Sequence, residues 1–256
     1  MASLSCYQFL YGSDNYGVLL HDSETKQTAC IDAGDAQAAL DALAAQGWSL
    51  SDLLITHHHA DHTAGLISIK QQTGCRVYGP DPVAKAIAGI DDFVSDGDTF
   101  EFANRTVQVL HTPGHTKDMI NYYFADDKLV FTGDTLFSMG CGRLFEGDAA
   151  MMLDSINKLK ALPDDTQVYC AHEYTATNAR FALDVDPDNT QLQSRAREVD
   201  ELRQAMKPTV PSLLSLEKAT NPFLRVNDAG LRNQLGMENA DDVAVFAELR
   251  ERRNQY

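Results

Sequence analysis

The chain has 256 residues, 21 of them basic and 37 acidic, for a formal net charge of −16. So acidic a surface repels polyanions, which excludes nucleic acid as the expected partner. No apolar run approaches the roughly 18 residues that a membrane span needs, and the first residues do not resemble a signal peptide. We therefore expect a cytoplasmic globular protein that does not bind a membrane, and we expect a monomer.

The first two thirds of the chain alternate between short β-forming runs, bounded by Gly, Pro, Asp or Asn, and helical patterns. Strands are predicted at residues 17–20, 28–32, 52–56, 76–78, 106–111, 120–124, 128–132 and 167–171. Helices are predicted at residues 36–46, 62–73 and 149–162, the first two ending at glycines and the third capped by Asp148. This alternation predicts an α/β fold in which helices cover the faces of the sheets.

Beyond Tyr174 the strand signals fade, and charged segments rich in Ala and Leu predict helices at residues 175–183, 190–206 and 241–253. We therefore predict two domains, an α/β domain over residues 1–173 and a helical domain over residues 174–256.

Four histidines and an aspartate stand close together in THHHADH, residues 56–62. The apolar run Leu53-Leu54-Ile55 leads into this motif and a helical pattern follows it, which places the motif in a strand-to-helix loop, where α/β folds keep their sites. Imidazole and carboxylate suit zinc, iron or manganese. The five cysteines are scattered without a CxxC pair, so free thiols are expected and a cysteine-bound zinc site is not.

The ligands of the motif form two pairs, His57 with His59 and Asp61 with His62, which favours two metal ions over one. Two ions need further ligands. His115, Asp134 and His172 are candidates because each follows an apolar run and precedes a loop or helix.

Together these residues resemble the metallo-β-lactamase superfamily, and more closely its glyoxalase II branch, the hydroxyacylglutathione hydrolases. HxHxDH alone indicates only the superfamily. Three further segments narrow the resemblance to this branch: CGRLFEG at residues 141–147, HEYT at 172–175 and NPFLR at 221–225. The resemblance implies an αββα sandwich with a C-terminal helical domain.

The resemblance also implies a dinuclear centre of two divalent ions, with zinc favoured and iron or manganese open as alternatives. The first ion would be bound by His57, His59 and His115, and the second by Asp61, His62 and His172. Asp134 would bridge both ions, and a hydroxide shared by the ions would be the nucleophile, which makes Asp61 and Asp134 the predicted catalytic aspartates.

The implied substrate is a glutathione thioester such as S-D-lactoylglutathione, hydrolysed to D-lactate and glutathione in the second step of methylglyoxal detoxification. Glutathione would be bound by Arg143, Tyr174, Arg250 and Arg253. The two last arginines lie three residues apart and would share one helix face. A solvated basic helix end, favoured by the helix dipole, is the alternative reading of this pair.

Two departures from the family pattern are notable. Lys117-Asp118-Met119 follows His115 where a glycine and often a second histidine are common, and Phe145 stands where some members have tyrosine. His58 occupies a variable position, and we expect it to be exposed or to lie behind the ligands.

Other members of the superfamily fit the sequence less well. A β-lactamase would lack the helical C-terminal third, a ribonuclease would carry a basic surface, and a flavodiiron oxidoreductase usually has Glu where His59 stands. A glutathione persulfide dioxygenase with one iron is the strongest alternative. The full set of seven ligands favours hydrolysis.

Overall fold

The computed structural model describes residues 4–82 and 85–256. The few other residues of the predicted first domain, 1–3 and 83–84, lie outside the described part. The chain forms two compact units. The first comprises the described residues up to His111 together with Thr116–Gly133, and the second comprises Thr112–His115 and Asp134–Tyr256. Because the bounds of these units differ from those of the two predicted domains, the predicted division stays a prediction.

The first unit contains ten strands and three helices. The strands are β1 (Ser5–Tyr11), β2 (Asn15–His21), β3 (Thr28–Ile31), β4 (Asp52–Leu54), β5 (Arg76–Pro80), β6 (Asp92–Val94), β7 (Thr99–Phe102), β8 (Arg105–His111), β9 (Ile120–Phe124) and β10 (Leu129–Gly133). The helices are α1 (Ala36–Gln46), α2 (Ala60–Thr63) and α3 (Leu66–Thr73).

Two sheets form the core of this unit. Strands β1 to β6 lie side by side in chain order, antiparallel from β1 to β3 and parallel from β3 to β6. Strands β7 to β10 form an antiparallel meander. Side chains join the two sheets: the rings of Tyr78 and Phe100 stack 4.1 Å apart, and the Tyr122 hydroxyl donates to the Ile55 carbonyl at 2.7 Å.

Helices α1 and α3 cover the first sheet because their apolar sides pack on Leu19, Leu53 and Val77. The ends of α1 follow local rules. Asp35 caps its N-terminus by accepting from the Ala38 amide, and Gly47 ends it in the left-handed conformation with φ 67°. These features confirm the helix predicted at residues 36–46.

The second unit is mainly helical. Its strands are β11 (Leu136–Phe137), β12 (Gly140–Cys141), β13 (Gln167–Cys170) and β14 (Ser212–Leu213). Its helices are α4 (Ala149–Lys160), α5 (Thr175–Val185), α6 (Thr190–Gln204), α7 (Leu214–Thr220), α8 (Ala229–Leu235) and α9 (Asp242–Asn254), with a 3-10 turn at Pro222–Leu224. The three predicted C-terminal helices are confirmed as α5, α6 and α9.

A buried ion pair organises the second unit. The Arg195 guanidinium contacts the fully buried carboxylate of Glu217, which also accepts from the Met139 amide at 2.9 Å and from the Ser212 hydroxyl at 2.6 Å. Because every oxygen of this carboxylate has a donor, its burial is compensated, and the network ties α6 and α7 to the loop between β11 and β12.

All five cysteines are free thiols, as predicted. Among the described residues, no helix combines the length and the apolar character that crossing a membrane requires.

Candidate metal centre

The loop after β4 carries the four predicted ligands of the first unit. The chain leaves the sheet after Leu54, bends at His58, and enters the short helix α2 after His59; the last turn of this helix contains His62. The ring centroid of His57 lies 4.7 Å from that of His59 and 4.1 Å from that of His62. The strand-to-helix placement predicted for the motif is confirmed, and the structure brings these three rings together.

Buried hydrogen bonds fix which ring nitrogen of His57 and His62 faces outward. The Asp32 carboxylate lies 2.8 Å from His62 Nδ1 and accepts from the Thr56 hydroxyl at 2.9 Å. Since this hydroxyl donates to Asp32, it accepts from His57 Nδ1, 3.0 Å away. Both imidazoles therefore keep their proton on Nδ1, and Nε2 is the nitrogen that can bind a metal.

Asp61, the fourth ligand of the motif, is held by the hairpin of β1 and β2. Its side chain is 48% exposed, and Oδ2 accepts from the side-chain amide Nδ2 of Asn15 at 3.1 Å. The Tyr11 hydroxyl donates to the Asp61 carbonyl at 2.9 Å. A side chain at Gly34 would place Cβ only 1.8 Å from the same carbonyl oxygen, so only glycine permits this close approach.

The three ligands predicted outside the motif meet in the second unit. Asp134 Oδ2 lies 3.3 Å from His115 Nε2, and Asp134 Oδ1 lies 3.3 Å from His172 Nε2. His115 Nδ1 donates to the Arg143 carbonyl at 2.9 Å, which leaves Nε2 as the nitrogen of this ring that could bind a metal. His172 contacts the Phe137 ring edge to face and stacks in parallel on the Tyr174 ring.

The donor set fits divalent metal ions. Two ligand atoms bound to one tetrahedral ion at about 2.1 Å each lie roughly 3.4 Å apart. The Nε2 atoms of His62, His115 and His172 all stand 3.3 to 3.4 Å from an aspartate oxygen of their own unit. Imidazoles with a fixed tautomer beside carboxylates are the ligands that zinc, iron and manganese take in proteins. Histidine and acidic side chains that could hold a metal ion occur in groups of at least three.

The residues predicted to bind glutathione all lie in the second unit, in different surroundings. Arg143 is exposed, while Tyr174 is half-buried at the start of α5. Arg250 is buried and donates from Nη1 to the Cys141 carbonyl at 2.7 Å. Arg253 is half-buried and donates from Nε and Nη2 to Asn178 Oδ1, 3.1 Å away in both cases.

These arginines form a positive cluster. The pKa of Arg253 is lowered, first by burial and then by the positive charges of Arg250 and Arg143. Clustered guanidiniums create a locally positive potential on an otherwise acidic chain, which suits an anionic ligand.

Sequence reasoning missed Asp32, the residue that orients two histidine ligands. Its position after the buried strand β3 was visible in the sequence, but nothing there linked its carboxylate to a loop 24 residues later. Its left-handed backbone, φ 59°, is a conformation that Asp tolerates better than most residues.

The fold and donor set define a member of the metallo-β-lactamase superfamily, whose family profile matches residues 18–172. Among solved structures, a metallo-β-lactamase from Staphylococcus aureus aligns with a TM-score of 0.67 and 21% identity over 98% of this chain and 72% of its own. ETHE1 from Myxococcus xanthus aligns with a TM-score of 0.60 and 29% identity over 91% of this chain and 99% of its own. The predicted αββα fold class is confirmed.

A second profile, described as the hydroxyacylglutathione hydrolase C-terminus, matches residues 173–256. The hydroxyacylglutathione hydrolase of Brucella anthropi is 52% identical over 253 residues, which are 99% of this chain and 97% of that protein. The chain therefore belongs to the hydroxyacylglutathione hydrolase family. It is an enzyme, a thioester hydrolase, and its likeness to ETHE1 is more distant.

Proposed function

We propose that this hydrolase acts on S-(2-hydroxyacyl)glutathione, with S-D-lactoylglutathione as the representative substrate and D-lactate and glutathione as products. In the cell this would be the second step of methylglyoxal detoxification. The single observation that carries the proposal is the position of Asp134, whose two oxygens each lie 3.3 Å from a different histidine nitrogen. A carboxylate placed in this way suits a ligand shared by two ions.

The proposed centre holds two divalent ions, and zinc is the favoured metal, with iron and manganese as alternatives. Its seven ligands are His57, His59 and His115 for one ion, Asp61, His62 and His172 for the other, and Asp134 for both. When bound, two such ions lower the pKa of coordinated water into the neutral range and stabilise a developing oxyanion.

The chain's own residues orient this chemistry. Asp32, Thr56 and the Arg143 carbonyl engage Nδ1 of three histidines and thereby direct Nε2 to the metal. Asn15 fixes the rotation of the Asp61 carboxylate. The glutathione thiol leaves as a thiolate, and because an ordinary thiol has a pKa near 8.5, no strong general acid is needed. Asp61 and Asp134 are the proposed catalytic residues.

The proposed glutathione site consists of Arg143, Tyr174, Arg250 and Arg253. The arginine cluster supplies local positive charge on an acidic chain, which suits the two carboxylates of the tripeptide. Arg250 is buried and donates to the main-chain carbonyl of Cys141, so in this proposal it also supports the CGRLFEG segment, whereas Arg143 is exposed and Arg253 half-buried and both can contact a carboxylate from the surface. The cytoplasmic location and the monomeric state stay predictions of the sequence.

Hydrolysis of S-D-lactoylglutathione by purified, zinc-loaded protein tests the proposal, followed by loss of thioester absorbance. We expect turnover with about two metals per chain, and we expect Asp134→Ala to abolish it. A second sample of the purified protein is loaded with iron instead of zinc and mixed with glutathione persulfide, and oxygen consumption is recorded. Oxygen uptake with one iron per chain and no thioester hydrolysis would replace the hydrolase assignment with the persulfide dioxygenase.

A further inference from the structure

The segment Lys117-Asp118-Met119, which departs from the family pattern, makes specific contacts with the histidine motif. The carboxylate oxygens of Asp118 lie 2.9 and 3.0 Å from Nδ1 of His58. The side chain of Asp118 is 1% exposed and that of His58 is 8% exposed. A glycine at residue 118 could not make this contact. The histidine at a variable position of the motif and the aspartate of the departing segment are therefore partners.

Further contacts join the same segment to the loop. The Ile120 amide donates to the Thr56 carbonyl at 3.0 Å. Met119 is fully buried. A Cβ added at Gly133 would lie 3.3 Å from the Met119 sulfur and 3.0 Å from the Thr56 hydroxyl oxygen, so both side chains pack against this glycine. The Lys117 carbonyl lies 2.8 Å from Nε2 of His111. Asp118 thus contacts the loop from Thr56 to His58 through its side chain and Ile120 through its main chain, while Lys117 contacts His111 at the end of β8.

These contacts bear on the proposed metal centre because of where His58 lies in the motif. His58 stands between His57 and His59, two of the four proposed ligands of the first ion. A loop must hold such ligands in a narrow range of geometry, and any freedom it keeps in the metal-free protein is lost on binding and weakens affinity. Fixing the intervening side chain restricts the backbone on both sides.

We propose that Asp118 is a positioning residue for the first metal site: through the His58 imidazole it fixes the backbone that presents His57 and His59. This inference rests on the proposed dinuclear centre and assigns a role to the departure at residues 117–119. Asp118 itself binds neither metal nor substrate in this scheme.

The test is zinc affinity, measured by competition with a chromogenic chelator, for the wild type, Asp118→Ala, His58→Ala and the double variant. Removing a partner of a metal ligand typically costs about 10- to 100-fold in affinity. Because Asp118 contacts His58 and not a ligand itself, we expect a loss at the lower end of this range, about tenfold, in the affinity of one of the two zinc equivalents. If Asp118 acts through His58, the double variant is no weaker than His58→Ala alone.

Two further variants separate positioning from general stability. Asp127→Ala removes another buried carboxylate of the same unit, the partner of Arg105, and should lower the Tm of the metal-free protein without changing zinc affinity. Asp118→Asn keeps the shape of the side chain. It therefore tests the positioning role of Asp118 if Asp118→Ala fails to fold. It should retain one contact with His58 and lose less affinity than Asp118→Ala.

Each outcome bears on one claim. Equal zinc affinity in the wild type and both Asp118 variants, with two zinc ions bound, would overturn the positioning role and leave the proposed function intact. The same affinity loss for Asp118→Ala with and without His58 would also overturn it. A wild-type chain that bound no zinc would instead overturn the proposed centre, and the positioning role with it.

Discussion

Asp134 is the central residue of the proposed metal centre, and Gly142 packs closely against its main chain. An ideal Cβ at Gly142 would stand 2.0 Å from the Asp134 carbonyl oxygen and 3.1 Å from Nδ1 of His115. Both distances are shorter than ordinary contacts, and the first is to main chain, which cannot turn away. Gly142 belongs to the CGRLFEG segment, so one reason for glycine there is steric.

We predict that Gly142→Ala displaces Asp134 and His115 and lowers both zinc affinity and thioesterase activity by about 100-fold or more, the upper part of the range for disturbed metal sites. The control is Gly230→Ala in α8, where the new Cβ meets only the movable Asp228 carboxylate at 3.2 Å. Metal content after dialysis and kcat/KM, measured on both variants, check this. Wild-type metal binding in Gly142→Ala would contradict it.

At the scale of helices and strands, the sequence predicted those elements that have a strong hydrophobic period or clear signals at their ends. All eight predicted strands exist, and α1 has the predicted bounds because Asp35 and Gly47 mark its ends. Strand β6 is three residues long and helix α8 seven, too short for a hydrophobic period to stand out, and both were missed. The edge strand β1, with its mixed exposure, was missed as well.

The candidate site was predictable to the same extent. The motif and the resemblance singled out the candidate ligands because those residues terminate strands, and their assignment as ligands stays a prediction. The orienting contacts were not predictable, because they join distant positions: Asp32 with His62, Asn15 with Asp61, and Asp118 with His58. Such pairs depend on strand order and register, which spacing along the chain does not contain.

Helix α9 carries the prediction about glutathione. If Arg253 contacts a carboxylate of the tripeptide, Arg253→Ala should raise KM for S-D-lactoylglutathione about tenfold or more and change kcat little, since a charge-assisted hydrogen bond contributes roughly 1.5–3 kcal/mol. The matched control is Arg252→Ala on the same helix, whose exposed guanidinium pairs with Glu248 at 2.7 Å.

A lactoyl thioester of a small neutral thiol provides the second readout for Arg253. Its KM should be the same in the wild type and in Arg253→Ala, because it lacks the carboxylates. An equal effect on both thioesters would mean that the variant perturbs the site in general, and it would remove Arg253 from the glutathione site.

At the scale of the whole molecule, the buried carboxylate of Asp22 contributes to the pH dependence of stability. The amide of Thr25 and the Arg105 guanidinium, which donate to Asp22 at 2.7 and 2.8 Å, hold the pKa of its carboxyl at about 2, below the ordinary 3.8. A folded pKa below the unfolded value stabilises the fold above the unfolded pKa, and the contribution disappears as pH falls through the folded pKa.

We therefore predict that Asp22→Asn lowers the free energy of unfolding at neutral pH and that the difference from wild type shrinks as pH falls from about 4 towards 2, the window set by the two pKa values. Urea unfolding of the metal-free protein measures this, so that acid release of metal plays no part. A difference that stayed constant over this window would show that the charge of Asp22 does not supply the stabilisation.

The most direct test of the account is a titration of metal-free protein with zinc, in which the initial rate of S-D-lactoylglutathione hydrolysis is recorded against equivalents added. A centre with seven ligands and a shared Asp134 predicts that the rate reaches its plateau at two equivalents per chain. It also predicts that Asp134→Ala shows no hydrolysis at any equivalent. Full activity at one equivalent, or zinc-independent hydrolysis, would contradict the dinuclear centre.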